Sequence, residues 1–223
     1  MPSLRSICVG LLMTPLHQFS SATRIIVEPS TSRNPTLPHD VVLPGIDLNF
    51  RYALIGRGTQ NYTCATACGP AVPVGAVATL FDATALARLS PSMLHTIPPL
   101  AVDQPIPAAG EAFQVGTAPP LMPIGRHYFD AAGVPVFELS GVNKVLYATR
   151  AANVSAPEGS NPGAGGRGHG AVDWLLLVAK QNYVAESVGL GAAYRVVTAG
   201  GKAVCDREGA QQVDYAAEYW FYA

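Results

Sequence analysis

The stretch that decides the fold lies at the end of the chain and reads Val213-Asp214-Tyr215-Ala216-Ala217-Glu218-Tyr219-Trp220-Phe221-Tyr222. Its two alternating faces carry Val213, Tyr215, Ala217, Tyr219 and Phe221 on one side and Asp214, Glu218, Trp220 and Tyr222 on the other. Alternation of period two with this aromatic density predicts a half-buried β-strand. Because chain ends usually fray, an aromatic end is ordered only where it docks into a sheet. We therefore predict a closing strand that pairs with segments far back in the sequence.

Composition narrows the class of protein. The chain has 223 residues, of which 49% are hydrophobic and 13% charged, so it can form one domain with a substantial core and is not a disordered protein. The formal net charge is -1 and no basic cluster is visible, which argues against nucleic acid as a partner. With 22 glycines and 19 prolines, the chain suits short strands joined by many turns.

The first 22 residues have the order of parts expected of a secretory signal peptide. Arg5 supplies the positive charge, residues 7–13 begin a short apolar run, and Ser20-Ser21-Ala22 offers a cleavage site. The apolar run is too short to span a bilayer, and no later stretch reaches the length of a membrane span. We therefore predict secretion of a protein without a membrane span.

The cysteines and sequons fit this prediction. Cleavage near Ala22 leaves Cys64, Cys68 and Cys205, from which an oxidising compartment would produce one disulfide and one leftover thiol. Asn61 and Asn153 begin Asn-X-Ser/Thr sequons and are candidates for N-glycosylation.

The predicted elements divide the chain into three parts. Residues 1–22 are the signal peptide, residues 23–47 a proline-rich extended lead-in with one short strand at 24–27, and residues 48–223 a β-rich domain. Within the domain, strands are predicted at 50–56, at 60–64 after a turn at Gly58-Thr59, at 72–81, and around 112–115, 125–129, 134–139, 142–149, 171–178 and 193–198.

The remaining segments complete the predicted fold. Residues 83–95 are the predicted helix, ended by Pro98-Pro99, residues 130–133 form a tight hairpin turn, and residues 156–170 form a long exposed loop. Short strands at this spacing with one short helix predict an all-β fold with minor α content, either an antiparallel β-sandwich or a β-barrel.

Six blocks of the sequence resemble a known family of secreted proteins. They are Gly56-Arg57-Gly58-Thr59-Gln60-Asn61-Tyr62-Thr63-Cys64, Ala76-Val77-Ala78-Thr79-Leu80-Phe81-Asp82-Ala83, Gly125-Arg126-His127-Tyr128-Phe129, Val172-Asp173-Trp174-Leu175-Leu176-Leu177, Tyr194-Arg195-Val196-Val197-Thr198-Ala199-Gly200-Gly201 with Cys205, and Tyr215-Ala216-Ala217-Glu218-Tyr219-Trp220-Phe221-Tyr222. The family occurs in fungi and bacteria and is recorded only as a domain of unknown function, although fungal members are sometimes labelled malate dehydrogenase. The resemblance implies secretion, a β-rich domain and a disulfide between Cys64 and Cys205, with Cys68 either competing for Cys205 or free. It implies no activity.

The dehydrogenase label conflicts with the local sequence. Residues 163–168 satisfy the G-x-G-x-x-G pattern, but that fingerprint needs a strand before it and a helix after it, so that the helix N-terminus faces the pyrophosphate. Here a proline-rich loop precedes the glycines and a strand-like run follows them. We therefore predict that the chain is not an NAD-dependent dehydrogenase and needs no cofactor.

His127 is the candidate for catalysis. A histidine in a strand could act as general base with Asp130 or Asp173, and Glu138 is a further carboxylate to consider. The alternative is a hydrogen-bonding residue on the polar face of a strand. No two histidines stand at metal-ligand spacing, so no metal site is predicted.

The aromatic residues suggest a second kind of site. Trp174, Trp220 and Tyr222 could stack on sugar rings if they lie on an exposed sheet face, whereas burial would make them core residues. Arg195 is expected to pair with Glu218 or Asp214 across the sheet.

Together these observations predict a secreted binding or structural protein of the cell surface, wall or surrounding matrix. A cell-wall polysaccharide or another extracellular molecule is the expected ligand. The alternatives are an extracellular hydrolase or lyase that uses His127, and a secreted effector acting on another organism.

Overall fold

Eight antiparallel strands follow one another around a closed barrel in chain order, and the last strand pairs with the first. A computed structural model describes residues 35–38 and 42–223. The elements are β1 (Phe50–Cys64), β2 (Ala71–Asp82), α1 (Thr84–Leu89), α2 (Pro91–Ala101), β3 (Pro123–Phe129), β4 (Pro135–Leu139), β5 (Lys144–Val154), β6 (Trp174–Ala179), β7 (Ala192–Gly200) and β8 (Gly209–Tyr222).

The closing strand forms as predicted. β8 pairs with β1 from Tyr222 opposite Phe50 to Gly209 opposite Cys64, and its other edge pairs with β7. Of the two architectures predicted from the sequence, the barrel is therefore right and the sandwich wrong. Pairing β8 on both edges removes the free edges that an open sheet must protect.

The predicted turn at Gly58-Thr59 is wrong, because β1 runs without interruption from Phe50 to Cys64. A Cβ added at Gly58 would lie 1.9 Å from the carbonyl oxygen of Val77 and 2.5 Å from the Cα of Ala78. Gly58 is thus required by the close approach of β2, and glycines inside strands often mark such approaches.

The strand β8 is buried on both faces from Tyr215 to Phe221, so the prediction of a half-buried strand is also wrong. Its inward side chains belong to the barrel interior, with Leu54, Ala78, Leu80, Phe137, Leu146, Leu177 and Ala193 among their neighbours in that cluster. Its outward residues Ala216 and Trp220 belong to a second core, which includes buried residues of α1 and α2. The helices therefore cover one outer side of the barrel.

The predicted helix at 83–95 is two helices. α1 ends at Leu89, and α2 begins at Pro91 and continues through Pro98 and Pro99 to Ala101. Proline at the first position of a helix is favourable because its missing N–H would have no partner there, and it also prevents α1 from continuing. A second difference lies at 112–115, where the structure has only an isolated bridge between Phe113 and Leu121.

The predicted turn at residues 130–133 forms between β3 and β4. Gly133 has φ of 74° and donates its N–H to the carbonyl oxygen of Asp130. The signal peptide and most of the lead-in, including the strand expected at 24–27, lie outside the described residues. Within the described part of the chain, no helix is long and apolar enough to cross a membrane.

A disulfide joins Cys64 at the end of β1 to Cys205 in the segment before β8, across 141 positions of sequence. The pairing that the family resemblance implied is therefore confirmed. Cys68 is free and exposed, and its backbone N–H donates to the carbonyl oxygen of Cys205 at 2.8 Å.

Candidate functional site

A cavity of about 700 Å³ opens at the end of the barrel that carries the disulfide. Its floor includes inward residues of β1, β6 and β7, and its rim includes the β3–β4 turn and Lys202. The lining residues used below are Gln60, Tyr62, Phe129, Arg150, Asp173, Leu175, Leu177, Arg195 and Lys202.

The side chains inside the barrel are apolar at one end and polar at the other. Toward the other end, the inward side chains Leu54, Leu139, Leu190 and Phe221 form an apolar, buried plug. Toward the cavity, the alternation of the strands instead places polar side chains inside, and these are Gln60, Tyr62, Arg195, Tyr215 and Tyr219. Eight-stranded barrels are just wide enough to be filled by side chains or to hold one small ligand. This barrel is filled at one end and open at the other.

Arg195 is the charge at the centre of this polar group. Only 9% of the residue is exposed, and its Nε and Nη2 donate to the backbone carbonyl of Asp173 at 3.2 and 2.9 Å. None of the ion pairs found among the described residues involves Arg195. Taking a charge out of water costs several kcal/mol unless an opposite charge accompanies it. Arg195 is thus a buried cation that lacks a carboxylate partner in the described part of the chain.

The groups around Arg195 are hydroxyls and an amide. The hydroxyls of Tyr215 and Tyr219 lie 3.0 Å apart. Burial raises the pKa of Tyr219, and the nearby Arg195 guanidinium partly offsets that rise. Gln60, 8% exposed, lies close to Tyr215, but its Nε2 is buried without a hydrogen bond among the described residues. The Gln60 amide and the Arg195 guanidinium are therefore two hydrogen-bond donors that line this cavity.

The cavity wall combines positive charge with apolar surface. Arg150, Arg195 and Lys202 line it against the single carboxylate of Asp173, which leaves an excess of two positive charges (three minus one) in a protein whose formal net charge is -1. Phe129, Leu175, Leu177 and neighbouring proline and valine residues supply the apolar part. Such a wall suits a ligand with one anionic end and an apolar body.

His127, the catalytic candidate from the sequence, lies inside the barrel wall and is 4% exposed. It stands opposite Ala78 on β2 and Phe137 on β4, and its ring stacks on Phe137 with the centroids 4.2 Å apart. Its Nδ1 donates to the carbonyl oxygen of Val136 at 2.9 Å, because only a protonated nitrogen can bond to a carbonyl. His127 thus occupies the place of a core residue.

Burial lowers the pKa of His127 to about 4, so it is neutral at physiological pH. A pKa near 6.5 in the unfolded chain means that His127 favours the folded state above about pH 6.5, and this contribution is lost as the pH falls toward 4. Between pH 7 and pH 4.5 the loss is about 2.5 kcal/mol.

We expect His127→Asn, whose amide can keep the bond to Val136, to remove this part of the pH dependence. The measurement is the free energy of urea unfolding of wild type and variant at pH 7 and at pH 4.5. Because the other titrating groups are common to both proteins, a difference between the two losses of stability comes from His127. An equal fall in stability for variant and wild type would contradict the assignment.

The two carboxylates expected near His127 are engaged elsewhere. Asp130 Oδ1 accepts from the backbone N–H groups of Ala132 and Val134 and so holds the hairpin turn. Asp173 Oδ2 accepts from Asn153 Nδ2 at 3.1 Å. The third carboxylate, Glu138, pairs with Arg126 on the exposed side of β3 and β4. The hydrogen bonds of the described residues do not join His127 to any of them.

The aromatic candidates for sugar stacking lie in the outer core. Trp220 is fully buried, Trp174 is 4% exposed, and Tyr222 packs edge-on against Phe50 and Tyr194. Burial raises the pKa of Tyr222 to about 12. Neither tryptophan presents an exposed face in this structure, because the helices and the lead-in cover the outer side of β6 to β8.

The expected pairing of Arg195 with Glu218 or Asp214 is wrong, for a reason of register. Arg195 stands opposite Tyr219, whereas Glu218 stands opposite Val196 and therefore points to the outer face. Asp214 instead pairs with Arg57 at 3.0 Å. Knowing which residue of β7 faced Tyr219 would have placed Arg195 inside the barrel, but sequence periodicity does not specify register between strands.

The other sequence candidates are placed as follows. Asn61 is half-buried in β1, Asn153 is exposed in β5, and the glycosylation of both stays a prediction. The glycine run at 163–168 contains one 3-10 turn and leads to an antiparallel strand, so the strand and helix that dinucleotide binding requires do not flank it. Among the residues described, no group of three or more histidine, cysteine or acidic side chains could hold a metal ion.

The fold defines this protein as a closed, up-and-down β-barrel, and one end of the barrel holds a cavity large enough for a small ligand. Residues 45–223 match the model of the family described as "Protein of unknown function (DUF3455)", and the chain belongs to that family. No curated protein and no solved structure matches the chain.

Proposed function

We propose that the protein is a secreted binding protein that holds a small amphipathic acid in the mouth of its barrel. The observation that carries this proposal is Arg195, a buried guanidinium with no carboxylate partner among the described residues. A ligand carboxylate would supply the missing counter-charge, and Gln60 Nε2 would supply a second donor. The apolar tail would lie against Phe129, Leu175 and Leu177.

The size and charge of the cavity support this class of ligand. Its volume of about 700 Å³ lies inside the range of about 300–1,000 Å³ that is usual for small-molecule sites. Arg150 and Lys202 at the exposed rim would attract an anion toward Arg195. Secretion remains part of the proposal because the first 22 residues read as a signal peptide. Protein recovered from the culture medium is accordingly expected to begin at Thr23, and a start at Met1 would contradict export through this signal.

The proposal competes with two earlier hypotheses. A sugar platform would need exposed aromatic faces, and the two tryptophans are buried. A hydrolase based on His127 would need a carboxylate bonded to that histidine, and its ring nitrogen instead bonds to a backbone carbonyl. Binding of an amphipathic acid uses groups that the cavity already presents.

The test compares two ligands with the same tail, octanoate and octanol, by titration calorimetry. Wild type is expected to prefer the acid by about 10- to 100-fold, since a hydrogen bond to a charged group contributes about 1.5–3 kcal/mol. Arg195→Gln should abolish this preference and leave the affinity for octanol nearly unchanged.

The matched control is Arg126→Gln, which removes the same charge from an exposed ion pair with Glu138. It should keep the preference for octanoate. Equal binding of acid and alcohol by wild type, or a preference that survives Arg195→Gln, would overturn the proposal.

A further inference from the structure

A second cavity lies on the opposite side of the barrel wall, between α2 and the loop that precedes β6. It has a volume of about 650 Å³ and is separate from the mouth, with which it shares no lining residue. Its polar wall includes Ser92 and His95 from α2, and Trp174 and Thr198 from the strands. We call it the outer groove.

A fully buried carboxylate fixes the histidine of this groove. Glu218 is 0% exposed on the outer face of β8, and its Oε1 lies 2.8 Å from His95 Nδ1. The second oxygen, Oε2, accepts from Trp220 Nε1 at 2.8 Å. Both carboxylate oxygens are therefore held, and Nδ1 of His95 is the nitrogen that carries the proton in the neutral ring.

The pairing with Glu218 makes His95 a stronger base. The hydrogen bond that His95 donates to Glu218 raises the pKa of His95, and burial raises the pKa of Glu218. The His95 side chain is 28% exposed and lines the groove, and its other nitrogen, Nε2, has no hydrogen bond among the described residues. A carboxylate that orients a histidine through Nδ1 is the arrangement that activates a hydroxyl nucleophile.

A hydroxyl is available on the same helix. Ser92 lies three residues before His95 in α2 and lines the same groove. Residues three apart on a helix are neighbours on one face, with Cβ atoms about 5–6 Å apart. The helix therefore brings the Ser92 hydroxyl and the His95 ring to the same wall of the groove.

Two further features mark the groove. The Nε1 of Trp174 is buried and has no hydrogen-bond partner among the described residues. Val197, which also lines the groove, has φ of 45°, in the left-handed region that a β-branched residue rarely adopts. An unpaired buried donor and a strained backbone each cost free energy, and such features gather at functional sites.

We propose that the outer groove is a hydrolytic site for small carboxylic esters, with Ser92 as nucleophile, His95 as general base and Glu218 as the residue that positions His95. The Ser92 oxygen forms a bond to the ester carbonyl carbon while its proton moves to His95 Nε2. The carbon–oxygen bond to the alcohol then breaks, and the alcohol takes that proton. Water, deprotonated by His95, releases the acid from Ser92 and restores the hydroxyl.

The experiment has two readouts, both on the protein as it is recovered from the culture medium. A fluorophosphonate should label wild type at Ser92, as located by peptide mapping, and p-nitrophenyl butyrate should be hydrolysed. Ser92→Ala should lose the label, and both Ser92→Ala and His95→Gln should lower kcat/KM by about 100-fold or more. The control Ser160→Ala changes another serine of the groove, whose hydroxyl is bonded to the Pro157 carbonyl, and should change neither readout.

Glu218→Gln tests whether Glu218 positions His95. The readout is the pH dependence of kcat, which a simple loss of stability would not shift. Without the carboxylate the pKa of His95 falls, so the rise of kcat with pH should move to lower pH while kcat drops by about 10-fold or more. Circular dichroism must first show that each variant is folded. Absence of labelling at Ser92 in folded wild type, or a hydrolysis rate unaffected by Ser92→Ala and His95→Gln, would overturn the proposal.

Discussion

A chain that ends at Asp214 is expected not to fold. The residues removed pair with β1 on one edge and β7 on the other, so their loss opens the barrel and exposes two long strand edges. They also include Tyr215, Tyr219, Trp220 and Phe221, all among the largest fully buried side chains. Burying four such side chains contributes about 6–12 kcal/mol, which is comparable to the entire stability of about 5–15 kcal/mol of an ordinary domain.

Far-ultraviolet circular dichroism and amide proton dispersion measure this result directly. The matched control removes only Ala223, which loses two backbone hydrogen bonds with Asn49 and no buried side chain. That variant should fold and unfold cooperatively. A folded truncation at Asp214 would show that the other strands can form a stable open sheet, and the role of β8 as the closing strand would then be wrong.

Removing the disulfide is expected to cause the next largest loss of folding stability. Cys64 and Cys205 close a loop across 141 positions, so the bond restricts almost the whole unfolded domain. The loop-entropy relation gives about 5 kcal/mol for a loop of this length. We therefore expect the double variant Cys64→Ser/Cys205→Ser to lose about 4–5 kcal/mol in urea unfolding and to melt roughly 10–20 °C lower.

Cys68→Ser is the matched control, because Cys68 is free and exposed. It should leave the unfolding free energy within about 0.5 kcal/mol of wild type, as surface substitutions usually do. If the double variant were as stable as the control, the bond would not restrict the unfolded chain as the loop length implies.

The two proposed sites lie on opposite faces of the barrel wall, and β8 supports both of them. On its inner face β8 carries Tyr219, whose neighbour Arg195 lines the mouth, and on its outer face it carries Glu218, whose partner His95 lines the outer groove. A single strand thus contacts lining residues of both cavities from behind. Alternation along β8 keeps the two sets apart, because neighbouring residues point to opposite faces.

Much of the fold follows from local sequence. The positions of β2 to β4 and of the turn at residues 130–133 agree with the prediction to within two residues, and β5 runs five residues further than predicted, because alternation and glycine placement are local signals. The prediction was wrong where a glycine or proline was explained by its neighbours in sequence but its structural role depended on a distant segment. Gly58 reads as a turn, yet it is needed for the approach of β2, and Pro98 reads as a helix end, yet α2 runs past it.

The candidate sites depended far more on tertiary structure. His127 is a catalytic candidate in the sequence because Asp130 follows it closely and Glu138 or Asp173 could also be its partner, but the structure buries it against Phe137. The histidine that does meet a carboxylate is His95, whose partner Glu218 lies 123 positions away. No spacing rule connects residues at such a distance, because their contact depends on how α2 docks on the barrel.

The amino-acid sequence by itself determined the strand content, the family, the closing strand at the end of the chain and, through the family, the Cys64–Cys205 bond. Only the tertiary structure decided that the sheet closes as a barrel, that β8 is buried on both faces, and that Arg195 points inward without a carboxylate partner among the described residues. The physical reason is register. Periodicity shows that a strand has two faces, but the pairing with its neighbours and the docking of the helices decide what each face meets.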